Sequence, residues 1–165
     1  MKRIVVDAGP LIHLHEAGGL ELLSKAGQIF VPTIVVAEAQ SLPKIPEGLI
    51  IKDPSPSYRD QLQGWAAADV IESGEAAAIA LALELRADWF LTDDSEARLL
   101  ASALGLQTHG SLGLVLWAAA EKLVQRNEAV RLLDAIDSGS LWISPRVRNE
   151  ARRALEMIWQ AQQRT

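Results

Sequence analysis

The stretch "DWFLTDDSEARLLASALGLQTHG", residues 88–110, carries the reading of the fold. It runs apolar through Trp89, Phe90 and Leu91, which reads as a strand, and then sets down two adjacent carboxylates, Asp93 and Asp94. "DSEARLLASALG" follows as a helix, closed by Gly105 where a helix C-terminus favours glycine, and "LQTH" reads as a further short strand. Two like charges side by side at the end of a strand have two explanations. One of them caps the following helix, or something positive sits beside them.

The same alternation extends outward in both directions. "RIVV" (3–6) is a β-branched run ending at Asp7, broken at once by Gly9-Pro10. Residues 11–27 carry apolar side chains at helical spacing, interrupted at Gly18-Gly19, and "QIFVP" (28–32) reads as a second strand. Thr33 is placed to cap a helix through "IVVAEAQSL". Residues 43–57 hold four of the seven prolines and read as a loop, with "LIIK" as an edge strand. Helices are expected over Tyr58–Glu72 and, after Ser73-Gly74, over the Ala-rich 75–87. Two more follow at 111–124 and 127–139, with Ser111 capping the first and Asn127 the second. "LWIS" (141–144) reads as an extended piece, and Pro145 starts a polar, Arg-bearing last helix. Strands alternating with helices imply an α/β fold with a parallel sheet covered on both faces. A single domain over 1–165 is expected, its helix at about 145–162 an appended contact element for a partner or a second copy.

Composition narrows the function. Nearly half of the 165 residues are hydrophobic and there are no cysteines, which rules out disulfides and thiolate metal sites. The start "MKRIVVDAGPLIHL" has too short an apolar run for a signal peptide, and no segment approaches a membrane span, so a cytoplasmic protein is expected. A formal net charge of −5 argues against a broad nucleic-acid-coating surface. It leaves room for an acidic site that meets phosphate through metal ions.

In open parallel sheets, ligands bind beyond the C-terminal ends of the strands. Asp7 follows the first strand, Asp93 and Asp94 follow the third, Glu38 lies in the helix after the second, and Glu75 opens the Ala-rich helix. If the first and third strands are neighbours, all five converge. Clustered carboxylates repel one another and rise in pKa unless a cation compensates. Mg2+ and Mn2+ prefer such oxygen donors, and a pair of ions about 3.5–4 Å apart can drive phosphodiester hydrolysis. Taken singly, each acid also has a structural explanation: a turn at Asp7, a solvent-facing helix position at Glu38, the helix dipole at Glu75.

"VVDAGPLIHL", "VPTIVVAEA", "SGEAAAIALALE" and "FLTDDSEAR" with "LGL" and "HGSLGLVLWA" occur in the order and spacing of PIN-domain proteins, and over residues 3 to about 125 the chain resembles their prokaryotic, toxin-like ribonucleases. The resemblance implies a three-layer α/β/α fold with a central parallel sheet and a Mg2+- or Mn2+-dependent endoribonuclease. It further implies RNA as substrate, a small antitoxin as partner and a homodimer. By position it implies Asp7, Glu38, Glu75 and Asp94 as catalytic and metal-binding residues, with Asp93 assisting as a metal ligand. Gly9 departs from the Ser, Thr or Asn that family members often carry there. A catalytically weak PIN-like binding module is the alternative. A receiver domain or a dehalogenase-type phosphatase fits poorly, since neither expected acidic pattern follows Asp7.

Other residues have plainer readings. Arg98, four residues after Asp94, is either an i,i+4 partner of that carboxylate or a substrate contact. His13 and His15 read as surface or partly buried helix residues and His109 as a turn residue. "RVRNEARR" (146–153) reads as a solvated face. The five tryptophans are scattered, with no interleaved aromatic–basic pattern.

Overall fold

The strands along the chain are β1 (Arg3–Val6), β2 (Gln28–Val31), β3 (Leu49–Ile51), β4 (Trp89–Leu91) and β5 (Thr108–His109). The helices are α1 (Ala8–Ala17), α2 (Leu22–Ala26), α3 (Thr33–Glu38), α4 (Pro56–Ala67), α5 (Ser73–Leu85), α6 (Ser95–Ala103), α7 (Ser111–Ala120), α8 (Arg126–Ser138) and α9 (Pro145–Gln163). They are taken from a computed structural model that describes residues 1–43 and 45–164. Lys44, inside the loop expected over 43–57, and Thr165 lie outside the described residues.

The strands form one parallel sheet in the order β3-β2-β1-β4-β5. From β1 the chain builds outward to β2 and β3, then returns to lay β4 and β5 on the other side. The order therefore reverses between β1 and β4, which is where open α/β sheets place their ligand crevice. These two strands pair directly, Ile4 with Trp89, Val5 with Phe90 and Val6 with Leu91. The ladder runs one step further, where Asp7 N–H donates to the Leu91 carbonyl at 2.9 Å.

Ile4, Val5, Val6, Phe90 and Leu91 are fully buried, as expected of a sheet covered on both faces. On one side α5 lies against β1 and β4, with α3, α4 and α6 beside it. Its alanines give it an apolar surface almost all round, the mark of a core helix. On the other side are α1, α2 and α7, backed by α8 and α9. The architecture is the three-layer α/β/α arrangement.

Several boundaries shift. The helix expected over 58–72 starts at Pro56, which suits the first turn, and stops at Ala67. Asp69 then takes a left-handed backbone (φ 53°), turning the chain so that Ile71 can be buried. Ser111 and Asn127 do not cap their helices: the N-cap positions fall on Gly110 and Gln125. His109 is a strand residue, its ring centroid 4.5 Å from that of Trp89. The arginines of 146–153 are only partly a solvated face. Arg148 pairs with Asp137 at 2.6 Å and Arg152 with Asp134 at 3.1 Å, which ties α9 to α8. Among the described residues no helix is long and apolar enough to cross a membrane.

Candidate active site

Asp7, Glu38, Glu75, Asp93 and Asp94 all line one pocket of about 250 Å3 beyond the C-terminal ends of β1 and β4. Glu72 joins them there.

Asp7 ends β1 and caps α1. Its Oδ1 accepts from Ala8 N–H at 2.8 Å and its Oδ2 from the Thr92 hydroxyl at 3.1 Å. Thr92 is fully buried, and its Oγ1 also accepts from Asp94 N–H at 3.2 Å. One hydroxyl thus fixes the first carboxylate of the site against the backbone of the last. Asp94 caps α6: its Oδ1 accepts from Glu96 N–H at 2.9 Å and Ala97 N–H at 2.8 Å. Its Oδ2 has no hydrogen-bond partner among the described residues, so capping leaves that oxygen open to the pocket.

Asp93 points elsewhere. Its Oδ1 accepts from Ser111 N–H at 2.7 Å, and its Oδ2 from the Ser111 hydroxyl at 2.5 Å. The same Oδ2 lies 2.7 Å from His13 Nδ1. The doublet therefore holds two helix starts at once, α6 through Asp94 and α7 through Asp93.

Glu38 is the last residue of α3, an unfavourable place for an acid with respect to that helix's dipole. Its carboxylate instead lies against the backbone of Gly74 at the opposite pole of α5, which lowers its pKa against the effect of burial. A Cβ on residue 74 would stand 2.0 Å from Glu38 Oε2, so the glycine of "SGEA" is what lets this carboxylate approach. Glu75, in the first turn of α5, turns back so that its Oε2 accepts from Glu72 N–H at 2.8 Å. That is the return half of a capping box.

Burial is the main reason the Asp7 carboxyl is pushed up to about 6, with the charges of Glu38 and Asp94 adding to it. Burial likewise pushes Glu75 to about 7, with Asp94, Asp7 and Glu72 contributing. Glu38 is raised by burial and by Glu72. A carboxyl with a raised folded pKa stabilises the fold while protonated, and that contribution is lost as pH rises. For Asp7, only 5 % exposed, a move from 3.8 to about 6 corresponds to at most about 3 kcal/mol. Without divalent cations, stability should therefore fall as pH rises from about 4 to about 7 and level off above. Thermal melts in EDTA across that range would show it, and a flat profile would contradict it.

Apart from His13, whose ring is turned to Asp93, the side-chain donors lining the pocket are carboxylate oxygens, and they carry a charge excess that a hard cation would relieve. In that respect the residues fit Mg2+ or Mn2+. Among the described residues no three Asp, Glu or His side chains already converge closely enough to hold an ion. Glu38 and Glu75 are both drawn to the N-terminus of α5, so adding them as ligands would require side-chain rotations away from it, whereas Asp94 keeps Oδ2 available with its cap intact.

Arg98 makes no ion pair with Asp94 among the described residues. Its Nη2 donates to the Thr92 carbonyl at 3.0 Å. His13 is a partly buried helix residue, one of the two readings its sequence allows, and it braces Asp93. Two residues at the site are not singled out by the sequence reading: Thr92, buried behind the pocket, and Glu72, which lines it. Thr92 was visible only as the Thr of "Thr-x-Asp", and Glu72 as the first acid of the E-x-x-E spacing in "ESGE".

A family model described as a PIN domain matches residues 3–157, well past residue 125 and into α9. No curated protein matches the chain.

Proposed function

Because the chain belongs to the PIN-domain family, whose fold is of nuclease type, we propose that it is a Mg2+- or Mn2+-dependent endoribonuclease. In this reading it is the toxin-like member of a toxin–antitoxin pair, homodimeric and cytoplasmic. The observation carrying the reading is the pairing of β1 with β4, which brings buried Asp7 beside Asp94, the Thr92 hydroxyl linking the Asp7 carboxylate to the Asp94 N–H. A divalent ion bound there would supply charge neutralisation at the scissile phosphate and a more acidic water. Asp7 and Asp94 would be its first protein donors, and Glu38 and Glu75 would supply further oxygens. Thr92 keeps the Asp7 carboxylate oriented. Asp93 assists indirectly, by fixing α1 and α7 around the pocket.

The test is cleavage of a single-stranded RNA with and without Mn2+, repeated with asparagine at positions 7 and 94. A second reading, a PIN-like binding module without nuclease activity, draws on the backbone bonds that occupy Glu38, Glu75 and Asp94. Calorimetric titration with Mn2+ separates the two: heat that disappears with Asp7→Asn is expected of the nuclease, and no heat from the unaltered chain favours the module.

A further inference from the structure

Beside the acidic pocket runs a second groove, of about 560 Å3, and the two share Asp93, Asp94 and Leu141 as a common wall. Among the residues lining it is Trp142, which is 82 % exposed. That exposure does not come from a loose loop. On one side Ser140 is anchored to Glu16, through its N–H at 3.0 Å and its hydroxyl at 2.8 Å. On the other, Ile143 is buried and Ser144 caps α9 by accepting from Val147 N–H at 3.2 Å. The indole is thus presented to solvent from backbone held at both ends. Arg98 lines the same groove, with one guanidinium nitrogen fixed to the Thr92 carbonyl and its other N–H groups unpartnered among the described residues.

We propose that this groove binds the single-stranded RNA flanking the scissile phosphodiester, with a base stacked on Trp142 and a backbone phosphate on Arg98. The inference rests on the nuclease reading and names the strand contact of that same site. A chain of net charge −5 gains little affinity from counterion release. Stacking on an indole needs no charge and tolerates any base, and a guanidinium close to the carboxylates supplies the local positive charge. The shared wall makes the groove continuous with the acidic pocket, so a strand whose phosphate lay in the pocket could extend along it past Arg98 to Trp142. Because Arg98 and Trp142 are far apart in sequence, no interleaved motif announces the pair.

The experiment uses the full chain with Asp7→Asn and Asp94→Asn, in EDTA, so that cleavage and metal binding play no part. Binding of a fluorescein-labelled, mixed-sequence single-stranded RNA of about ten nucleotides is read by polarisation, a length that spans the site of a typical stacking groove. Adding Trp142→Ala should weaken binding about tenfold, and Trp142→Phe should restore most of it. Adding Arg98→Gln should lower the salt slope by about one. Unchanged affinity with Trp142→Ala, or no RNA binding by the parent, would overturn the proposal. So would unchanged RNA binding with a dimer-to-monomer shift in sedimentation, which would assign the indole to a protein interface. Failure of the unaltered chain to cleave RNA with Mn2+ would strike the nuclease reading alone.

Discussion

Replacing Asp7 and Asp94 together by asparagine is expected to cut Mn2+-dependent RNA cleavage by about a thousandfold or more, while the protein stays at least as stable. Loss of a cation's charge stabilisation is worth several kcal/mol in the transition state, and about 4 kcal/mol corresponds to three powers of ten. Stability follows different bonds. Asp7 Oδ1 accepts from Ala8 N–H, and Asp94 Oδ1 caps α6 through Glu96 and Ala97. Asparagine keeps a carbonyl oxygen for each and ranks with aspartate as an N-cap. What the substitutions remove is charge, and at position 7 that charge is opposed by burial. Part of the gain is returned, because an amide N–H facing the Thr92 hydroxyl cannot accept its hydrogen bond. A cleavage assay with Mn2+ and a melt at pH 7 in EDTA, on one preparation, read both quantities. Undiminished cleavage would sink the assignment, and a large loss of melting temperature would recast the two acids as structural.

How far the sequence reveals such a site depends on the range of the interaction that places each residue. Short buried strands between helical periods were legible because local hydrophobic pattern dictates them. The three-layer α/β/α fold was what the family resemblance implied, and the meeting of Asp7 with the doublet was conditional on the first and third strands being neighbours, which the pairing of β1 with β4 supplies. The bonds that orient the carboxylates were not legible. Whether Asp94 or Asp93 caps α6 depends on Ser111 and His13, which reach Asp93 from the other side of the sheet's edge. Gly74 looked like a helix breaker, yet its missing side chain is what admits Glu38 from another helix. Arg98 had a good local partner at i+4 spacing, a contact worth only about 0.2–0.5 kcal/mol, and the Thr92 carbonyl holds it instead. The exposure of Trp142 follows from anchors at Glu16 and in α9, which no window around residue 142 contains.

Asp93→Ala is expected to show the opposite signature, a loss of about 2–4 kcal/mol in stability with the cleavage site left largely intact. Both Asp93 oxygens are used by the protein itself: Oδ1 by Ser111 N–H, Oδ2 by the Ser111 hydroxyl and His13 Nδ1. The Asp93 and His13 side chains are only 6 % and 14 % exposed, so truncation leaves donors that water reaches poorly. Loss of the cap on α7 alone costs about 1 kcal/mol, and each stranded buried donor adds about 1–3 kcal/mol where water does not replace the bond. For a domain of this size the sum should lower the melting temperature by roughly 5–15 °C. Asp93→Asn should fall between, since it keeps one acceptor but puts an N–H where Oδ2 accepted from Ser111 and His13. Well below its melting temperature, the alanine variant should retain cleavage within about tenfold, the low end of the roughly 10–100-fold cost of lost support around a metal site. The pair of measurements thus divides two neighbouring aspartates that composition and spacing leave equivalent. An Asp93→Ala protein that melted normally but no longer bound Mn2+ would make Asp93 a ligand and overturn that division.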